Sequence, residues 1–321
     1  MFVMRQLTAP DISAVDALIA ERVRYQLKHA RQVCAGPRLR RIVVTSQRGF
    51  VRGGRLAIGM WRAAPAPRLV GAFTLRCAST APEMILENAF TAPGERDVAR
   101  LASMWASDFA ARQPGRPRIR CVSWSAAVAA RQVQVGGWTE VPQPAHQRGS
   151  AVLLEQRSTI MALLNQWIRT ERLPSLAPQS ESELRPALHP RQVTIGRLYA
   201  EGLSTAAVAA RLYLSVDTVK SHTASARGLT GVRSTTALVH DLYLQGALRR
   251  GTASGVSAVV SPRQRAVLGF TAFGDPQAAI GNALGVSLEV VKADVSALRS
   301  ALGATSSSHL IARGWDERLL W

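Results

Sequence analysis

The sequence predicts an α/β domain over residues 1–156, followed by two all-α domains of four helices each, over 187–249 and 259–321. Segments typical of strands and of helices alternate through the first half of the chain. Residues 188–248 and 260–320 align with each other without a gap, and each residue has its counterpart 72 positions further on. Residues 157–186, between the halves, are predicted to form a helix and then a linker rich in proline and serine.

The first half contains the elements of the α/β domain in a regular order. The opening helix begins after Thr8 or Asp11, either of which suits the N-terminal cap. The predicted strands are apolar segments that contain β-branched or aromatic residues and are bounded by glycine or proline, at 40–46, 55–61, 68–77, 83–91 and 118–124. Helices are predicted at 8–27, 95–113 and 125–136, and a closing hairpin at 138–143 with 150–157.

Residues 157–173 are predicted to form one amphipathic helix between the two halves. Its apolar residues fall on one face at helical spacing, and they are Ile160, Leu163, Leu164, Trp167 and Ile168. We therefore expect these five side chains to be buried together.

Each repeat contains residues that typically begin and end helices, at the spacing of four short helices. In the first repeat, Pro190 suits the first turn of a helix and Gly202 suits its C-terminal end. Ser204, Ser215 and Ser234 stand where they can cap the second, third and fourth helices. A short helix, a tight turn and a longer capped helix form the helix-turn-helix pattern.

The balance of charge favours a polyanion as partner. The chain has 40 lysines and arginines against 21 acids, a formal net charge of +19, and cationic side chains gain affinity for phosphates by releasing counterions. Only Lys28, Lys220 and Lys292 are lysines, and the last two occupy the same position of the two repeats. From Arg22 to Pro82 there is no acid, which suits nucleic acid, an anionic ligand or a partner protein, although biased codon usage also favours arginine over lysine.

Other classes of function lack their usual signatures. No apolar run approaches the length of a membrane span, and the first residues lack the pattern of a signal peptide, so we expect a cytoplasmic protein. The cysteines and histidines lack metal-ligand spacing, and the common catalytic and nucleotide-binding motifs are missing. We expect no metal and no cofactor.

The first repeat resembles the LuxR/GerE-type helix-turn-helix family of bacterial transcription regulators. The resemblance covers about 60 residues and rests on "PRQ", "AEGLS", "AVAARLYLS", "VDTVKSH" and "GVRSTTALV" in this order. It implies that the partner is double-stranded DNA and that the third helix lies in the major groove. Gln192 departs from the glutamate usual in the family, which we expect to remove an internal ion pair.

The resemblance also implies which side chains meet DNA. In the first repeat they are Arg191, Ser204, Ser215, Thr218, Lys220, Ser221, His222 and Arg227. Lysine can reach a phosphate or a guanine edge, and the two capping serines mark helix N-termini that favour phosphate.

The second repeat resembles a diverged copy, in which Arg263, Lys292, Ser296 and Arg299 correspond to DNA-facing positions. Asp294 replaces His222, and a carboxylate that faced the phosphates would repel them. The second repeat is therefore either a weaker DNA reader or a module for packing or for a partner such as RNA polymerase. Two half-sites can be read by a homodimer or by the tandem within one chain.

The first domain resembles, more faintly, the GNAT-type N-acetyltransferase fold. The cues are "RQLTAPDISAVDALI", "RLVGAF" and "SAAVAARQVQVGGWTEV". Glu95 and Asp97 lie in the loop where the resemblance implies that backbone N–H groups face a cofactor pyrophosphate, and Val133 takes the place of a tyrosine general acid. We expect a sensing, docking or DNA-contacting domain without catalysis, the alternative being a DNA-tethered N-acetyltransferase.

Overall fold

The structure is a computed structural model of the 321-residue chain. It describes residues 1–29, 55–63, 65–77, 83–95, 97–123, 126–142, 152–171, 173, 188–253 and 260–320. The chain forms two compact units, one built around a β-sheet and one built of helices from residue 186 onward. The predicted class, an α/β domain followed by two sets of four helices, is confirmed.

The first unit is an eight-stranded mixed sheet in the order β6-β7-β5-β4-β3-β2-β1-β8. Its strands are β1 (Phe2–Gln6), β2 (Arg55–Arg62), β3 (Arg68–Cys77), β4 (Glu83–Thr91), β5 (Arg118–Ser123), β6 (Thr139–Glu140), β7 (Val152–Gln156) and β8 (Ile168–Thr170). β4 and β5 pair in parallel, as do β1 and β8, and the other neighbours are antiparallel. The core includes Met4, Ile58, Phe73 and Met84, all buried.

Among the described residues, the helices of the sheet unit are α1 (Ile12–Lys28), α2 (Val98–Ala111) and α3 (Ala126–Gly136). α1 follows a short 3-10 turn at Ala9–Asp11, whose N-terminal cap is Thr8. The Asp11 carboxylate accepts hydrogen bonds from the backbone N–H of Thr8, at 2.8 Å, and from the guanidinium of Arg5, at 2.7 and 2.9 Å. Burial would raise the pKa of Asp11, but these bonds outweigh burial and lower it.

Most predicted elements of this unit are confirmed. The strands expected at 55–61, 68–77, 83–91 and 118–124, the three helices and the hairpin of β6 with β7 all form. β1 was not predicted, although its five residues pair with β2 along their whole length. The strand expected at 40–46 lies outside the described residues, as does about half of the acid-free stretch from Arg22 to Pro82.

The predicted helix over residues 157–173 is wrong. A 3-10 turn at Leu164–Gln166 leads into β8, which pairs in parallel with β1 through Phe2 and Ile168. Ile168 is 3% exposed, whereas Ile160 is 53% exposed and Trp167 61% exposed. The expected face does not exist: only Leu164 and Ile168 of the five side chains are buried, and Ile168 belongs to the edge strand β8. Trp105 of α2 donates its indole N–H to the Thr170 hydroxyl at 2.9 Å and so ties β8 to the layer of helices.

The helical unit contains two sets of four helices with corresponding bounds. The first set is α4 (Pro190–Ala200), α5 (Thr205–Leu212), α6 (Val216–Thr230) and α7 (Thr235–Leu244). The second set is α8 (Pro262–Ala272), α9 (Gln277–Leu284), α10 (Leu288–Ala301) and α11 (Ser307–Asp316). Every helix of the second set begins 72 residues after its counterpart.

The predicted helix caps are confirmed in the first set. The hydroxyls of Ser204, Ser215 and Ser234 accept hydrogen bonds from the backbone N–H three residues later, at 3.2, 3.0 and 3.1 Å. Gly202 follows α4 with a φ of 92°, a left-handed conformation that glycine adopts without a steric penalty.

Replacing Ile168 by alanine should destabilise the sheet unit by about 2–5 kcal/mol, because a buried side chain at the β1–β8 edge leaves a cavity. The matched change Ile160→Ala removes an exposed side chain and should stay within about 0.5 kcal/mol. Urea denaturation followed by circular dichroism measures both. Equal losses at the two positions would instead fit the amphipathic helix that the sequence predicted.

Candidate nucleic-acid interface

The helix-turn-helix of the first repeat consists of α5, a tight turn and α6. Val208 of α5 and Val219 of α6 are completely buried, and the two helices are in contact. Tyr213 ends α5 in a left-handed conformation with a φ of 55°, where the second repeat has Gly285 with a φ of 70°. The Tyr213 side chain is 96% exposed. The buried valines fix the angle of α6 and leave its other face open to solvent.

The open face of α6 carries polar and small side chains. Lys220, Ser221, Ala224 and Ser225 are exposed on it, while Val219, with Thr223 and Ala226, faces the core. The lysine and the first serine, both predicted DNA contacts, therefore lie on the surface that a duplex can reach.

The other predicted contacts on α6 lie at the margin of this face. Thr218 and His222 are half-buried. The Thr218 hydroxyl lies 2.8 Å from the hydroxyl of Ser215, so the side chain also supports the helix cap. Both positions can meet DNA only at the edge of the α6 surface.

The two equivalent lysines have equivalent partners. Lys220 Nζ lies 3.2 Å from a carboxylate oxygen of Asp217, and Lys292 Nζ lies 3.2 Å from one of Glu289. All four side chains are mostly exposed, so these ion pairs are weak and are screened by salt. A phosphate can displace the carboxylate from either lysine.

Arg227 and Arg299 hold equivalent turns of their own chain. Arg227 donates to the carbonyl oxygen of Arg233 at 3.2 Å, and Arg299 donates to that of Thr305 at 2.6 Å. These carbonyls lie in the turn that leads to the fourth helix of each repeat. The two arginines, both predicted DNA contacts, are thus positioned by structural bonds.

The expectation that Asp294 faces the phosphates is wrong. Asp294 is 4% exposed, and its carboxylate accepts two hydrogen bonds from Arg263, at 2.7 and 3.1 Å. It lies one helical turn after Val291, on the inner face of α10, so its charge is neutralised inside the repeat. The hydrogen bonds that Arg263 donates to Asp294 raise the pKa of Arg263. The equivalent residues of the first repeat are Arg191, which is exposed, and His222, which is half-buried.

Gln192 provides contacts that a glutamate ion pair was expected to supply. Its side-chain oxygen accepts from the backbone N–H of His189 at 2.9 Å, and its amide donates to the Ser225 hydroxyl at 3.1 Å. In the second repeat, Gln264 accepts from the backbone N–H of Ser261 at 3.0 Å. The spacing Ser-x-x-Gln is the sequence signal of this capping box, but the bond that links α4 to α6 has no sequence signal.

Three of the predicted residues of the second repeat come together in space. Lys292, Ser296 and Arg299 line an open surface pocket of about 620 Å³ together with Gln277 and Thr305. Arg263, bound to Asp294, is not among the residues that line it. With Ser300, the pocket has two cationic groups and four polar side chains, which suits an anionic ligand such as a phosphate.

Within the described part of the chain, no group of three histidine, cysteine, aspartate or glutamate side chains can hold a metal ion. None of the described helices is both long and apolar enough to cross a membrane. His189 serves as a cap of α4, since its ring nitrogen accepts from the backbone N–H of Arg191 at 3.2 Å.

A buried helix pair with an exposed, polar and cationic third helix defines a helix-turn-helix domain of the DNA-binding class. Residues 186–241 match the family model described as bacterial regulatory proteins, luxR family. The chain therefore carries a LuxR-type DNA-binding domain, and this part of the predicted resemblance is confirmed. Comparison with curated proteins gave no match.

Solved structures similar to the chain cover its sheet unit. A PaiA N-acetyltransferase from Thermoplasma acidophilum in complex with coenzyme A is 14% identical, with a TM-score of 0.38, over 49% of this chain and 99% of that chain. A GNAT-family acetyltransferase from Staphylococcus aureus is 8% identical, with a TM-score of 0.39, over 50% and 100%. An acetyltransferase from Thermus thermophilus is 16% identical, with a TM-score of 0.38, over 49% and 97%.

Replacing Arg263 by alanine should destabilise the helical unit by about 2 kcal/mol, because the Asp294 carboxylate stays buried without its partner. Arg191→Ala, the equivalent change in the first repeat, removes an exposed side chain and should cost less than about 0.5 kcal/mol. Thermal unfolding measures both variants.

The double variant with Arg263→Ala and Asp294→Ala is the control for this pair. It should recover most of the loss, because no charge then remains buried. A double variant as unstable as Arg263→Ala alone would show that the arginine stabilises the fold through packing and not through the carboxylate.

Proposed function

We propose that the protein is a sequence-specific, double-stranded DNA-binding transcription regulator that reads DNA with tandem LuxR-type helix-turn-helix domains. The observation that carries this proposal is the match of residues 186–241, in which α6 turns Lys220 and Ser221 toward solvent. The N-terminal unit acts as a sensor, as a docking surface or as an additional DNA contact. The protein works in the cytoplasm, where the chromosome of a bacterium lies, with RNA polymerase as a candidate partner.

The electrostatics of the helical unit support binding to a polyanion. Lys220 and Lys292 stand near the N-termini of α6 and α10, where the partial positive charge of the helix adds to their own. Ser215 and Ser287 cap these helices by accepting from backbone N–H groups, and the Ser287 hydroxyl can donate its proton to an acceptor such as a phosphate oxygen.

Two observations support DNA reading by the second repeat. Its helices have bounds that correspond to those of the first, and Lys292 and Ser296 are exposed on α10. The carboxylate of Asp294, which the sequence suggested would repel phosphates, is paired with Arg263 inside the fold. Asp294 therefore gives no electrostatic reason to exclude DNA binding by the second repeat.

The sheet unit supports a non-catalytic assignment. Glu95, in the loop between β4 and α2, forms an ion pair with Arg62, so a carboxylate occupies the loop where a cofactor pyrophosphate would need backbone N–H groups. Val133 is an exposed apolar side chain of α3 and cannot serve as a general acid. A DNA-tethered acetyltransferase is the competing hypothesis.

Lys220→Ala and Lys292→Ala should each weaken DNA binding about tenfold and lower the slope of log affinity against log salt by about one. The duplex is one enriched from a random library by the wild-type protein, and fluorescence anisotropy at several salt concentrations gives the slopes. A loss with Lys220→Ala alone would make the second repeat structural. No loss with either variant would show that α6 and α10 are not the recognition helices.

Asp217→Ala is the matched control for Lys220→Ala. It removes the carboxylate beside the same lysine and should strengthen binding, because the repulsion of phosphate disappears. Opposite effects of two exposed neighbours on one helix cannot arise from unfolding. If both changes weakened binding equally, the effect would have to be assigned to the helix cap and not to charge.

Isothermal titration of the full chain with acetyl-CoA should show no saturable heat, because the loop at Glu95 presents a carboxylate to the cofactor. The full chain is used because it contains both the sheet unit and the helical unit. Stoichiometric binding, accompanied by acetyl transfer to an amine, would favour the DNA-tethered enzyme over a sensing or docking unit.

A further inference from the structure

The two helical repeats contact each other through equivalent surfaces. Gly202, at the end of α4, packs against Thr305 and His309 at the start of α11, so closely that a Cβ on this glycine would lie 2.4 Å from the Thr305 hydroxyl oxygen. The Thr305 hydroxyl also donates to the Gly202 carbonyl at 3.4 Å. The end of the first helix of repeat one therefore meets the start of the fourth helix of repeat two.

The reciprocal contact is also present. Gly274, the counterpart of Gly202, packs against Ser234 and Ala237 at the start of α7, and its added Cβ would lie 2.7 Å from the Ser234 hydroxyl oxygen. Ala237 is the counterpart of His309. When position i of one copy contacts position j of the other, and j contacts i in return, the two copies are related by a two-fold rotation.

A stacked pair of rings lies between the fourth helices. Tyr243 of α7 and Trp315 of α11 are counterparts, and their rings stack with centroids 5.3 Å apart and planes inclined by 12°. Contact between a residue and its own counterpart is expected only next to a two-fold axis. The Trp315 indole N–H also donates to His240 at 2.9 Å, so the axis runs through a buried aromatic cluster.

We propose that one chain is a complete two-fold DNA reader, in which α6 and α10 bind inverted half-sites of unlike sequence. This rests on the proposed DNA-binding function. Repeats joined in head-to-tail order would read two half-sites in the same orientation, whereas a two-fold relation turns the second half-site around. The fourth helices of the two repeats already pack against each other within one chain. One chain is therefore enough to bind both half-sites.

The unlike half-sites follow from the exposed faces of α6 and α10. α6 presents the hydroxyl of Ser221 and the methyl of Ala224, whereas α10 presents the methyl of Ala293 and the hydroxyl of Ser296. The hydroxyl and the methyl group thus occupy opposite positions on the two helices. These two positions are three residues, or about 4.5 Å, apart along the helix axis. Hydroxyls read polar base edges and methyls contact the thymine methyl, so the two helices prefer different bases.

Selection of duplexes from a random library by the full chain tests the orientation. The enriched site should contain two inverted, unequal half-sites with centres about 10 base pairs apart, and native mass spectrometry should find one chain per duplex. Half-sites in the same orientation, or two chains per duplex, would overturn the two-fold reader and leave the proposed function standing. No enrichment and no binding to any duplex would overturn both.

A spacer series tests whether the interface holds the readers rigidly. Inserting about five base pairs turns one half-site to the opposite face of the duplex, so affinity should fall about 100-fold, to the value of a duplex with one half-site scrambled. An affinity that does not change with the spacer would mean that the repeats move independently, which overturns the two-fold arrangement.

Exchanging the hydroxyls tests the assignment of half-sites. Ser221→Ala should change base preference in one half-site only, and Ala293→Ser in the other only, because each alters one exposed position. Each substitution changes one exposed group, so both variants should fold normally. The selection is repeated with each variant. Unchanged preferences, or the same half-site altered by both variants, would overturn the assignment.

Discussion

The packing of α7 against α11 is the interaction on which the helical unit depends. A four-helix domain of about 60 residues buries little apolar surface and is marginally stable alone. Here His240 and Trp315 are almost fully buried between the repeats, and Tyr243 stacks on the tryptophan ring. The segment after α7 joins the same cluster, since the backbone N–H of Gly251 donates to Asp316 at 2.6 Å. Each repeat thereby completes the core of the other.

This shared core limits how the repeats can differ. Val208 and Val219 of the first repeat correspond to Ile280 and Val291 of the second, and all four are completely buried. At these two pairs the repeats exchange only similar volumes, because overpacking and cavities both destabilise. Exposed positions, such as Ser221 with its counterpart Ala293, can change chemistry without this limit on volume. In a DNA reader, these exposed positions are the ones that choose the bases.

Local patterns in the sequence predicted the helices and their caps well, because a serine cap or a C-terminal glycine acts on its own neighbourhood, as at Ser215 and Gly202. The patterns failed where a distant partner decides the outcome. Ile168 has helical spacing from Leu164, yet it forms a strand because Phe2, more than 160 residues away, offers a free edge of the sheet. Asp294 was expected to face DNA because the contact with Arg263 spans 31 residues and has no sequence pattern. The sequence did not predict β1 either, because this strand depends on pairing with the distant strands β2 and β8.

The pair of Arg263 and Asp294 shows how a charge change in a recognition helix can be compatible with DNA binding. A carboxylate on the outer face of α10 would repel phosphates, and on the inner face without a partner it would destabilise the fold. Binding to Arg263 avoids both costs, since the net charge of the pair is zero and the carboxylate faces inward. The arginine also loses its freedom to contact a phosphate, as Arg191 of the first repeat can. The second repeat keeps Lys292 as the cation that matches Lys220, and under the proposed function it differs from the first mainly in the bases that it selects.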